Sequence, residues 1–167
     1  RCVTLTSGTA SKEYVGTRLM NRYVTVGGDG FVTGEGATYD VTGTATNVSD
    51  TQASNNTFTY TLNNNTLTDN YNITKVEGTL TITPIAIELT ANSDSKKYDG
   101  TALTADGYTI SNGSFVGEEG LASVDVEGSQ TEVGSSSNTI TGHPLNDNQL
   151  ADNITNTHNP GPLDDTT

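Results

Sequence analysis

Ser11-Lys12-Glu13-Tyr14-Val15-Gly16-Thr17 and Ser95-Lys96-Lys97-Tyr98-Asp99-Gly100-Thr101 are one pattern written twice along the chain. The match extends outward in both directions. Upstream, Val3-Thr4-Leu5-Thr6 aligns with Ile87-Glu88-Leu89-Thr90. Downstream, Tyr23/Tyr108, Phe31/Phe115, Gly36/Gly120, Val41/Val126, Gly43/Gly128 and Thr46/Thr131 follow in order. Leu67-Thr68-Asp69-Asn70 then meets Leu150-Ala151-Asp152-Asn153. Apolar, Gly and Tyr positions all recur, so the chain is a duplication: module one over 1–84 and module two over 85–167. A repeat of this length suits a self-contained small domain rather than a solenoid unit.

Within each module the dominant rhythm has period two. Val3-Thr-Leu-Thr, Tyr39-Asp-Val-Thr-Gly-Thr-Ala-Thr, Thr57-Phe-Thr-Tyr-Thr-Leu and Leu80-Thr-Ile-Thr alternate Thr with larger apolar residues. That is the signature of strands buried on one face. Gly27-Gly28-Asp29-Gly30, Asn63-Asn64-Asn65, Asp99-Gly100 and Asn112-Gly113 punctuate them as turns. Tyr71–Val76 and Thr79–Thr83 around Glu77-Gly78 read as a hairpin. The expectation is an all-β chain of two tandem small β-sandwich, immunoglobulin-like modules, each of about six antiparallel strands. A β-grasp-like arrangement, with one short helix near 34–37 or 117–122, is the alternative. Module two carries no sequence counterpart of Thr79–Thr83. Either that strand lies outside the chain or the tail 156–167 replaces it. Only Pro84 separates the last strand of module one from the first of module two, which predicts a short, stiff joint.

Composition sets limits on function. Seven Lys and Arg face 20 Asp and Glu, for a net charge of -13. Such a chain repels phosphate backbones and anionic lipid, so nucleic-acid and membrane partners are not expected. Module one is nearly balanced, whereas module two holds only Lys96 and Lys97 as basic residues. The hydrophobic fraction, 31%, favours two thin cores over one thick one. Cys2 is the single cysteine and reads as incidental.

Lys97-Tyr98-Asp99-Gly100-Thr101-Ala102-Leu103 resembles the signature of the YDG/MBG repeat modules of bacterial, Gram-positive and gut-type, cell-surface proteins and adhesins. The stretches Val26–Thr44 and Asn70–Pro84 fit the same pattern. The resemblance spans nearly all of module one and module two as far as Thr155. Module one departs from it at Val15, which stands where the signature has Asp. It implies an exported, cell-wall or cell-surface repeat that acts as a stalk projecting an adhesive region, or that itself binds host mucin glycans or a host surface protein. Neighbouring repeats of a parent chain are the other implied partners.

Candidate sites are few. Tyr98, Asp99 and Gly100, with Tyr14 and Gly16, read as a packed tyrosine followed by a tight turn in which Gly supplies a positive φ. Tyr14, Tyr23, Phe31, Tyr98, Tyr108 and Phe115 recur in register and read as core. Clustered oxygens at Asp147, Asp152 and Asn153 form a weak calcium candidate without the spacing of an EF-hand. Lys12 and Lys96 invite the idea of a Lys–Asn crosslink. No cofactor is implied. His143 and His158 are the only histidines, and no nucleophile elbow is present, so no catalytic site is expected.

Overall fold

The computed structural model describes residues 1–146 and 151–167. Half of the chain is strand, and among the described residues no helix reaches seven residues. It divides into two compact units, Arg1–Thr83 and Pro84–Thr167.

Unit 1 contains β1 (Cys2–Ser7), β2 (Ala10–Glu13), β3 (Val24–Gly28), β4 (Ala37–Val41), β5 (Phe58–Leu62), β6 (Asn72–Val76) and β7 (Leu80–Thr83). Its central strand is β1, which pairs antiparallel with β3 and parallel with β6. β2 pairs parallel with β7, and β4 pairs antiparallel with β5. Alternation along β1 buries Val3, Leu5 and Ser7 and leaves Thr4 and Thr6 on the other face. Val3 and Leu5 join Val41, Phe58 and Tyr71 in the core, with Val24, Phe31, Tyr39, Tyr60 and Ile73 packed against them. Each fully buried aliphatic or aromatic side chain there contributes about 1.5–3 kcal/mol. Phe31 meets Tyr71 edge to face at 5.1 Å. Lys75 places its ammonium 4.9 Å from the Phe58 ring centre.

Unit 2 repeats the plan with β8 (Ile85–Ala91), β9 (Asp94–Lys97), β10 (Tyr108–Asn112), β11 (Asp125–Glu127), β12 (Gly134–Gly142), β13 (Ile154–Asn159) and β14 (Gly161–Thr166). β8 lies between antiparallel β10 and parallel β13. β14 pairs parallel with β9 and antiparallel with β12. Ile87, Leu89, Ala91 and Ile140 form its core.

Four expectations are corrected. Among the described residues each unit shows seven strands rather than about six, and the pairing is mixed rather than antiparallel. Tyr71–Val76 and Thr79–Thr83 are not a hairpin: β6 follows β1 and β7 follows β2, both in parallel. Of the two alternatives for the end of module two, the second holds: within the tail, Gly161–Thr166 stands where β7 stands in unit 1. No helix forms at 34–37 or 117–122. Glu35 and Glu119 instead close single turns onto the carbonyls of Val32 and Val116.

One device recurs at the heart of both units. Asn56 is fully buried, and its amide donates to the carbonyls of Gly8 (2.7 Å) and Asn21 (2.8 Å). Its backbone N–H reaches the Gly78 carbonyl at 3.0 Å, and Ser7 Oγ donates to its carbonyl at 2.6 Å. Asn138 repeats this in unit 2, donating to Asn92 (2.9 Å) and Ala105 (2.6 Å) and pairing with Gly161. A Cβ on Gly43 or Gly128 would collide with the backbone of these asparagines. The recurrence of those two glycines therefore reflects close approach to the chain.

Candidate functional site

The turn after β2, and its copy after β9, gathers the residues singled out from the sequence. Gly16 (φ 72°) and Gly100 (φ 75°) both lie in the left-handed region. Lys12 Nζ donates to Thr17 Oγ1 at 2.9 Å. Its counterpart Lys96 donates to Thr101 Oγ1 (2.8 Å), to the Thr101 carbonyl (2.6 Å) and to Asp99 Oδ1 (2.7 Å). Asp99 also accepts from the Thr101 N–H and hydroxyl. The lysines thus tie down a turn, and neither has an asparagine side chain among its hydrogen-bond partners. The buried asparagines, for their part, hold backbone carbonyls.

The Lys96 hydrogen bond, followed by those from Thr101, holds the Asp99 carboxyl far below the usual carboxylate range. A depressed value means that the interaction favours the folded turn at all pH above the ordinary Asp value, about 3.9. It is lost only as pH falls through the lower folded value. Carboxylate titration by NMR should find Asp99 still ionised below pH 3, and Lys96→Met should move its midpoint upward. An unmoved midpoint in that variant would refute the ion pair.

The tyrosines divide. Tyr14 is buried, but Tyr98 in the matching place is 51% exposed, Tyr23 is 81% exposed and Tyr108 is exposed as well. Phe31 and Phe115 pack against the two cores. The reading of all six aromatics as core is corrected for Tyr23, Tyr98 and Tyr108. By strand register Asp165 occupies the place of Ile82, so the strand beside β9 presents a carboxyl where the strand beside β2 presents an apolar side chain.

Of the calcium candidates, Asp147 lies outside the described residues. Asp152 is exposed on the single 3₁₀ turn Ala151–Asn153, while Asn153 is buried. Among the described residues no group of three His, Cys, Asp or Glu is placed to hold a metal ion. Two shallow hollows of about 310 and 300 Å³ flank Pro162, lined by Ser135–Ser137 and by Ser93–Ser95. Ser135 donates to Asp164 beside them. The hollows are open, unlike the clefts that enclose small ligands. Among the described residues no helix is long and apolar enough to cross a membrane.

One juxtaposition has no signal along the chain. His143, just after β12, and His158, on β13, stand with ring centres 5.5 Å apart. Fifteen residues separate them in the chain, and only the fold brings them together.

Compared with known proteins, the chain matches no family model, no curated protein and no solved structure.

Proposed function

We propose that the chain is a load-bearing, non-catalytic segment of an extracellular bacterial surface protein, built from two small two-layer β-sandwiches of the YDG/MBG type. The observation that carries this reading is the parallel pairing of early and late strands in each unit. β1 and β2 run on from one another across Gly8-Thr9, and β6 and β7 across Glu77–Thr79. The two bent ribbons lie side by side in parallel, β1 on β6 and β2 on β7. Chain therefore enters unit 1 at the start of one ribbon and leaves at the end of the other. Tension between those points slides the ribbons past each other, and many ladder hydrogen bonds resist together rather than opening one by one. Unit 2 repeats the arrangement with β8 on β13 and β9 on β14. The thin core suits this role, because resistance to force is set by the unfolding rate rather than by total stability.

Single-molecule pulling tests it. Stretched through its termini, the chain should give two separate rupture events. Unit 1 should release roughly 280 Å of contour, its 83 residues at about 3.4 Å each. Its rupture force should exceed that measured through handles on β4 and β5, which load their antiparallel ladder differently. Rupture at equal or lower force through the termini would remove the argument for a stalk.

The exposed tyrosines favour a second reading, in which the modules bind host glycans. Tyr23 and Tyr108 recur in register, and aromatic faces stack on the apolar faces of sugars. Binding to a defined mucin glycan that is lost on Tyr23→Ala would support it over the stalk.

A further inference from the structure

The geometry points to a zinc-class cation site in unit 2, held by one ring nitrogen each from His143 and His158, with water or an incoming ligand completing the shell. The spacing is the first argument. Imidazole nitrogens bind Zn²⁺ at about 2.0–2.1 Å, which puts each ring centre about 3.2 Å from the ion. A tetrahedral angle at the metal then separates the two centres by about 5.2 Å. The rings stand 5.5 Å apart and are tilted by 55°, a centre-to-centre distance within a few tenths of an ångström of that value.

The second argument is the partner of His143. Asn156 Nδ2 lies 3.3 Å from His143 Nδ1, while Asn156 Oδ1 is buried without a hydrogen-bond partner among the described residues. Turning that amide over, an assignment that hydrogen-bond logic decides, lets Oδ1 accept from Nδ1–H. The His143 tautomer is then fixed with Nε2 free for a metal, the usual supporting arrangement for a ligating imidazole. That rearrangement pairs the orphan oxygen and prepares the ligand, and it places the amide Nδ2 in the buried position that Oδ1 leaves.

The third argument is access. Asn156 and His158 lie two residues apart on β13 and so share a face. β13 is an edge of the sheet ordered β10-β8-β13, and His158 is exposed there. By register against β1 and β8, His158 stands where unit 1 has Lys75. Unit 1 contains no histidine and serves as an internal control. Two imidazoles select borderline metals such as Zn²⁺, Ni²⁺ and Cu²⁺ over Mg²⁺ and Ca²⁺. The acidic surface of unit 2 concentrates cations nearby but does not discriminate among them.

The test uses the full chain carrying Cys2→Ser, which removes the exposed thiol as a competing ligand. Calorimetry with Zn²⁺ should find one site per chain that excess Ca²⁺ does not displace. His143→Ala and His158→Ala should each weaken it at least tenfold, and Asn156→Ala about tenfold. Because a variant could disturb β13, a second measurement leaves these residues intact: trace Cu²⁺ should broaden the NMR ring signals of both histidines together. Zn²⁺ affinity unchanged in either histidine variant, or broadening of only one ring, would overturn the proposal.

Discussion

Asn56→Ala should lower the stability of unit 1 by about 2–4 kcal/mol, with Asn138→Ala doing the same to unit 2. The side chain is small, but its position is not replaceable. Its two amide hydrogens satisfy the carbonyls of Gly8 and Asn21, on segments far apart in sequence, and no water reaches the side chain. Truncation leaves both part-buried carbonyls unpaired, each costing about 1–3 kcal/mol, and removes the buried Oδ1, which has no partner among the described residues, so the net falls in the lower part of the sum. The same residue seats the start of β5 against Gly78, through its own N–H, at the point where β6 gives way to β7. Hydrogen exchange should therefore quicken in β1, β5 and β7 together. Thr42→Ala offers a control, because the Thr42–Thr57 hydroxyl pair is exposed and its loss should cost less than about 0.5 kcal/mol. If Asn56→Ala proves no more damaging than Thr42→Ala in urea unfolding, the buried amide is not what joins these strands.

The way these elements were and were not legible in the sequence follows from the same physics. Alternation of Thr with larger apolar residues is a local property, and it marks β1, β5 and β7 without reference to anything else. Partner choice is not local. Glu77-Gly78 carries the chemistry of a hairpin turn, yet Gly78 is there for another reason. Its N–H donates to Ser7 Oγ at 2.9 Å, and a Cβ would strike the carbonyls of Ser7 and Gly8. The glycine permits close approach of a parallel neighbour, and no turn rule distinguishes that use. Aromatic recurrence was equally ambiguous. Tyr14 and Tyr98 occupy one place in the pattern, yet the first is buried and the second half exposed. Asn56 and Asn138 were invisible because the chain is rich in asparagine, and only burial separates these two from the rest. His143 and His158 became a pair only through the return of β13 alongside β8.

Asp165→Ile should stabilise unit 2 by about 3–5 kcal/mol. Asp165 is only 2% exposed, and neither carboxylate oxygen has a hydrogen-bond partner among the described residues. A carboxyl that leaves water without a partner is destabilising. The neighbouring strands offer little relief. Gly134 stands opposite on β12, and Lys96 stands opposite on β9 with its ammonium engaged by Asp99 and Thr101. Unit 1 supplies the alternative solution in the same register: Ile82 opposite Lys12, buried and apolar. Replacing Asp165 by Ile removes an unsatisfied group worth about 1–3 kcal/mol and adds a burial worth about 1.5–3 kcal/mol. The β-branch also suits a strand. Asp164→Ile is the control, since Asp164 accepts from Ser135 and its replacement breaks that bond. The converse variant, Ile82→Asp, should destabilise unit 1 by a similar amount. The urea midpoint of unit 2 should rise in Asp165→Ile with an unchanged slope. A midpoint that falls or stays level would mean that β14 does not hold Asp165 against the core, and that unit 2 closes in some other way than unit 1.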